Sequence, residues 1–436
     1  MRGRLREPYI QLLASQLFTG VIAMAANVMM VRALSPTGRG EVALMLQIVY
    51  LATQVLLLGT ERSFTAGFHG AAPPAAVRAY ARLLLLPCTL GLFAAVVFAL
   101  VAPHRLNPGP AIVALVACYA VVEAIILATR AIAVAVGRMA DFVRWRFVDS
   151  LTVLVLMMVL FFAHVTRPGA WVLAYLLAGA LPTLAYVIFW LRVPAPATPP
   201  AIGHLRHVRR EGLTLFPAAI ANMAMLRVDR LALPALASTA ALGLYTSVAT
   251  MTELLAWPLR AYADSRLGKW RAAHQDGQLR TGPLILVAAV YTVVVGPILA
   301  GGMYLLIVPV FGERYAPAKA VVLPLVAAAG LYAVSRVSLG ILVAKGHGAL
   351  VSASEICGFA VSLAAYLAWI PKHGIEGAAW GSLVGYGACL VFAISASRFV
   401  GDKVVPPPIT DPPIADEPIL DGPIADGPIA DGVVIT

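Results

Sequence analysis

Long apolar stretches alternate with short polar interruptions along the chain, and the length of the stretches is the first thing the sequence specifies. A helix that crosses the hydrocarbon core of a bilayer needs about 20 predominantly apolar residues. Stretches of that kind run at 9–33, 41–60, 79–102, 110–136, 147–164, 170–191, 212–236, 241–262, 283–309, 317–344, 349–370 and 376–398, which predicts twelve transmembrane helices. The longest connections lie near 61–78, 192–211 and 263–282, too short for a folded extramembrane domain. The expected fold class is an all-α integral membrane protein.

The first stretch has a rival reading. Arg2, Arg4 and Arg6, an apolar run and the triplet Ala23-Met24-Ala25 together look like a cleavable signal peptide. The apolar region of a signal covers about 7–15 residues, whereas this one continues through Asn27 to Val31, so it reads as a span.

The segment with Pro194, Pro196, Pro199 and Pro200 and with Arg192, Arg206, Arg209 and Arg210 divides the spans six and six. The predicted organisation is an N-terminal six-helix lobe over 1–195, a basic cytoplasmic linker over 196–211 and a C-terminal six-helix lobe over 212–403. The halves resemble each other in two places. Ala26-Asn27 to Arg32 matches Ala221-Asn222 to Arg227 at an offset of 195, and Gly40 matches Gly243 at an offset of 203, so the two matches disagree by 8 residues. Six spans repeated in the same orientation place the lobes about an axis along the membrane normal with a central cavity between them. After Lys403 the composition changes to Pro406-Pro407-Pro408 and a Gly-Pro-Ile-Ala-Asp repeat carrying Asp416, Asp421, Asp426 and Asp431. Residues 404–436 read as a disordered, acidic, Pro-rich tail.

Composition supports the membrane reading: 61% of the residues are hydrophobic and 12% charged, with a mean hydropathy of +0.86. The net charge of +11 would raise the question of nucleic acid in a soluble protein. Here its distribution answers to the bilayer instead, and no nucleic-acid partner is expected. With the N-terminus inside, the outer segments hold only Arg32, Arg39, Arg105, Arg167, Arg314, Lys319 and Lys372, and most of the 32 Lys and Arg fall on inner segments. Both termini are therefore expected in the cytoplasm. The four cysteines, Cys88, Cys118, Cys357 and Cys389, lie in apolar runs without a CxxC pair or a suitably spaced His. No disulfide, metal site or cofactor is expected from them.

Ionisable residues inside the spans carry the candidate chemistry, because each costs several kcal/mol in hydrocarbon and so tends to face a cavity or a partner. Arg227-Val228-Asp229-Arg230 in the seventh span is the densest group, preceded by Asn222. Asn222 and Asp229, seven apart, share one helix face, and Arg227 and Arg230, three apart, lie on adjoining turns. Glu123 and Arg130 lie seven apart in the fourth span; Glu253 and Arg260 repeat that spacing in the eighth, with Pro258 between them. Arg336, Glu355, Asp149 and Glu61-Arg62 complete the set. The competing reading for each Arg is a side chain that snorkels from a helix end. Arg227, Arg230, Arg336, Asn222 and Arg130 are candidates for substrate binding, and Asp229, Glu123 and Glu253 for coupling or gating. A cavity rich in Arg suits an anion, since the guanidinium group binds phosphate oxygens bidentately and stays charged at any working pH. Coupling to a proton or Na⁺ gradient through Asp229 or Glu123 fits the same residues.

Four motifs in order resemble a known family. They are Val31-Arg32-Ala33-Leu34-Ser35-Pro36-Thr37-Gly38-Arg39-Gly40-Glu41, Arg227-Val228-Asp229-Arg230-Leu231-Ala232-Leu233, Leu242-Gly243-Leu244-Tyr245-Thr246-Ser247-Val248-Ala249, and Ile370-Pro371-Lys372-His373-Gly374-Ile375-Glu376-Gly377-Ala378-Ala379-Trp380. They resemble the polysaccharide transporter branch (Wzx-type lipid-linked oligosaccharide flippases) of the multidrug/oligosaccharidyl-lipid/polysaccharide (MOP) superfamily. The resemblance implies a bacterial inner-membrane transporter that moves a polyprenyl-pyrophosphate-linked oligosaccharide to the outer leaflet by alternating access. It also implies other polysaccharide-assembly proteins as partners. Only Asp229, Gly243 and Tyr245 sit at family motif positions; the Arg assignments come from placement. Peptidoglycan-precursor flippases of the superfamily usually carry fourteen spans, two more than are counted here. Three alternatives stay open: a multidrug exporter of the same superfamily, a membrane-embedded glycan-assembly enzyme, and a scaffold that uses the tail as a hook. The enzyme is disfavoured by the absence of a large outer loop or an Asp-x-Asp site.

Overall fold

The computed structural model describes residues 8–68, 71–101, 109–194 and 202–399; the tail predicted for 404–436 lies outside them. Every element among the described residues is helical: α1 Pro8–Ala33, α2 Pro36–Leu57, α3 Thr60–Gly67, α4 Pro73–Val101, α5 Pro110–Ala135, α6 Met139–Phe162, α7 Pro168–Leu191, α8 Ile202–Leu236, α9 Thr239–Thr252, α10 Trp257–Gln275, α11 Thr281–Phe311, α12 Val322–Ala344 and α13 Gly348–Phe399. Short 3₁₀ segments, Glu253–Leu255 and Glu313–Val321, join α9 to α10 and α11 to α12.

The twelve predicted spans fall almost entirely on helical residues. Among the described residues, eight helices are long and apolar enough to cross a membrane by length and composition, and Phe18–Ala33 of α1 forms a shorter apolar helix. The remaining predicted spans are interrupted by polar groups or by breaks. α8 carries the Arg227–Arg230 cluster, the predicted eighth span is divided by the 3₁₀ segment, and α13 contains two spans that meet at Gly374, whose φ of 55° and ψ of −124° are not helical. Pro258, just inside α10, accounts for the division: it lacks an N–H and cannot continue the α-helical ladder from α9. α8 begins at Ile202, which corrects the linker boundary at 211. From 202 onward the basic stretch is a helical extension of the seventh span, and it buries Val208 against the first half of the chain.

One core gathers residues from α1 to α7, and two others belong to the second half, joined by Val31 and Ala43 from the first. Internal symmetry is visible in the caps. Ser35 caps α2 by accepting a hydrogen bond from the Gly38 N–H at 3.2 Å, and Ser238 caps α9 by accepting one from the Ala241 N–H at 3.1 Å. α1 and α8 end at Ala33 and Leu236, and α2 and α9 begin at Pro36 and Thr239. The structural repeat therefore follows the offset of 203, and the Ala-Asn match at 195 is a coincidence of composition.

The two halves touch closely at both ends of α2. At one end Gly40 and Gly243 pack on each other's helices: a Cβ at Gly40 would lie 1.9 Å from the Thr239 carbonyl oxygen, and one at Gly243 1.9 Å from that of Pro36. At the other end Gly59, in the left-handed region at φ 70°, faces Gly212 of α8, whose carbonyl oxygen a Cβ would approach to 2.4 Å. Ser63 Oγ donates to the Val208 carbonyl at 3.0 Å beside it. With a rise of 1.5 Å per residue the two crossings stand about 30 Å apart, the thickness of a bilayer core.

Candidate functional site

Between these crossings lies a cavity of about 310 Å³, lined from α1, α2, α5, α6 and α7 on one side and from α8, α9 and the Glu253 break on the other. Four guanidinium groups (Arg39, Arg146, Arg227, Arg230) and three carboxylates (Glu123, Asp149, Glu253) line it.

On the second-half side, Arg227 Nη1 donates to Glu253 Oε1 at 3.2 Å, and Arg230 Nη2 donates to the same oxygen. One carboxylate oxygen thus serves two guanidinium groups. The spacing of three within α8 turns both toward the break, where Glu253 opens the 3₁₀ segment. Asp229 points elsewhere. Its Oδ1 accepts from the Arg230 N–H at 2.8 Å and its Oδ2 from the Tyr245 hydroxyl at 2.6 Å. Tyr245 also lies 3.2 Å from Ser382 Oγ, which is 2.8 Å from the Tyr366 hydroxyl. This network ties α8 and α9 to both arms of α13. A smaller space of about 90 Å³, bounded entirely by second-half residues including Arg260, lies behind the Arg pair.

The first-half side was less visible in the sequence. Arg39, an outer-loop charge by the span boundaries, sits in the first turns of α2 with 4% of its surface exposed. Asn27 Oδ1 holds it, accepting from Nη2 at 3.0 Å and from Nε at 3.3 Å, while Asn27 Nδ2 donates to the Ser247 carbonyl of α9 at 3.2 Å. Arg146, assigned to an inner segment, pairs with Asp149 one turn along α6. Both Arg were missed because α2 and α6 begin earlier than their apolar stretches. The Ser-Pro-Thr-Gly signal ahead of Arg39 marked the true start of α2.

Arg227, Arg230, Glu253 and Glu123 thus meet in one cavity, with Asp229 directly behind Arg230. Asn222 and Arg336 do not join them. Asn222 Nδ2 donates to Glu355 Oε1 at 2.6 Å and Arg336 Nη1 to the same atom at 3.0 Å, in a separate cluster among α8, α12 and α13. Arg130 is exposed near the end of α5 and lines neither cavity.

Thirty chains of solved structures match this architecture. An inward-facing multidrug resistance MATE family transporter of the MOP superfamily aligns with a TM-score of 0.65 and 16% identity over 87% of this chain and 94% of its own. The lipid II flippase MurJ in an inward closed conformation aligns at 0.63 and 10% identity over 88% and 87%. A MOP superfamily transporter from Pyrococcus furiosus, described as having a binding pocket of reverse polarity, aligns at 0.63 and 14% identity over 89% and 94%. No protein-family model and no curated protein sequence matches the chain. At these identities the likeness establishes the fold, an all-helical one with about 12 membrane helices.

Proposed function

We propose that the protein is a transporter that flips a polyprenyl-pyrophosphate-linked oligosaccharide from the inner to the outer leaflet of a bacterial inner membrane by alternating access. The cavity between the two halves, lined by four guanidinium groups against three carboxylates, is the observation that carries the reading. A pyrophosphate brings several anionic oxygens, which Arg groups bind more strongly than neutral donors do. Arg227 and Arg230 are the pair for it, because the carboxylate between them shows that both can address one oxyanion at once. The charged lining suits the headgroup, and the lipid chain would remain in the bilayer. Fold relatives with both lipid and multidrug cargo support transport as the class. A multidrug exporter is the rival; four guanidinium groups against three carboxylates favour an anionic cargo over a cationic one.

Reconstitution into liposomes with a fluorescent polyprenyl-pyrophosphate sugar tests this. Arg227→Ala with Arg230→Ala should abolish flipping. Since removing one side of a buried ion pair costs about 3–5 kcal/mol, the triple variant that adds Glu253→Gln serves as the folded control and should be equally inactive. Unchanged flipping by either would overturn the site assignment.

A further inference from the structure

The α2 wall of the cavity, beside the Arg pair, has a chemistry of its own. Arg39 is held at Nε and Nη2 by Asn27, and its Nη1 is buried without a hydrogen-bond partner. Gln47, two turns along the same helix and 3% exposed, has its Oε1 buried without a partner. Both residues line the cavity. An unpartnered donor and an unpartnered acceptor on one helix face are costly to bury, and together they describe what is missing: a group that both accepts and donates. An ionised phosphate can satisfy Arg39 and has no proton for Gln47. Glu123 on the same side would repel a phosphate and accept from hydroxyl groups, while Asp149 is paired with Arg146. Tyr50 of α2 lines the cavity with Tyr119 of α5 and Tyr175 of α7, and a phenol ring is an apolar surface of the kind on which the C–H face of a pyranose stacks. The guanidinium of Arg227 lies 5.5 Å from the centre of the Tyr50 ring, so the wall abuts the place proposed for the phosphate.

We propose that the cavity is bipartite, with the α2 wall of Arg39, Gln47 and Tyr50 forming a subsite for the sugar ring attached to the pyrophosphate. This rests on the proposed function and extends it to residues that bind the neutral part of the ligand. Ring hydroxyls satisfy Arg39 Nη1 and Gln47 Oε1 together, and the ring lies over the tyrosines. Recognition of the first sugar is then separable from recognition of the charge.

The test measures binding of farnesyl pyrophosphate and of its glucosyl, galactosyl and N-acetylglucosaminyl conjugates to the full-length protein in nanodiscs. At least one conjugate should bind about tenfold more tightly than bare farnesyl pyrophosphate. Gln47→Leu, which removes an unpaired acceptor and so should not lower the melting temperature, should abolish that preference. Its affinity for bare farnesyl pyrophosphate should stay within about twofold of wild type. Wild-type protein that binds all four probes equally overturns the subsite and leaves the phosphate reading standing, as does a Gln47→Leu protein that keeps the preference or loses both affinities alike. Failure of the wild type to bind any probe overturns both.

Discussion

Two Arg–Glu clusters in the second half of the chain use the same chemistry and stand in different surroundings. In each, two donors from separate side chains converge on a single carboxylate oxygen: Arg227 and Arg230 on Glu253, and Asn222 and Arg336 on Glu355. Glu253 has 36% of its side chain exposed, sits at a break between helices and faces an inter-lobe cavity. Glu355 has 8% exposed and is enclosed by α8, α12 and α13, with Arg336 lying over the Tyr332 ring at 4.8 Å. An ion pair sealed among three helices fixes their packing, whereas one that opens on a cavity can exchange its carboxylate for another anion. Burial of charge alone therefore does not identify a site; access to volume does.

Substitutions can break or sharpen this contrast. Glu355→Ala should destabilise most, by about 3–5 kcal/mol, because it strands the buried Arg336 guanidinium; a thermal melt of the purified protein reads this. Gly243→Ala should cost less, about 1–3 kcal/mol for overpacking at a backbone contact, and should separate α2 from α9, which distance measurements between spin labels on the two helices would detect. Glu253→Gln is expected to act in the opposite direction on binding. Freed of a competing carboxylate, Arg227 and Arg230 should bind inorganic pyrophosphate about fivefold more tightly, about 1 kcal/mol, by calorimetry. If Glu253→Gln instead unfolds the protein as Glu355→Ala does, the two clusters are alike and the contrast fails. Arg130→Ala should change neither binding nor melting, as expected of an exposed charge away from both cavities.

The span pattern was legible because hydrocarbon imposes a length on every crossing helix. The Arg227–Arg230 cluster was legible because three charges in four residues contradict that environment. Arg39 and Arg146 were not, since apolar stretches mark where hydrocarbon begins and not where a helix does; α2 starts at Pro36 and α6 at Met139, both ahead of the hydrophobic run. The pairing of Arg336 with Glu355 joins α12 to α13 across a turn, a relation that the spacing of single charges cannot express. The sequence repeat was ambiguous for a similar reason. Gly40 and Gly243 are constrained by mutual contact and kept their register, while Asn27 and Asn222 serve different partners, the Ser247 carbonyl and Glu355, and share only a residue type.

The glycine crossings at the two ends of α2 have a mechanical consequence. Where side chains interlock, parting two surfaces requires many dispersion contacts to be lost together. At Gly40 and Gly243, and at Gly59 and Gly212, main chain rests directly against main chain. Such a contact resists compression steeply, so it acts as a stop that sets how near the two halves can come. With a stop at each end, α2 resembles a beam on two supports. Lifting either end turns the helix about the other, and the Arg39, Gln47 and Tyr50 side chains along its length would swing with it past the stationary arginines of α8.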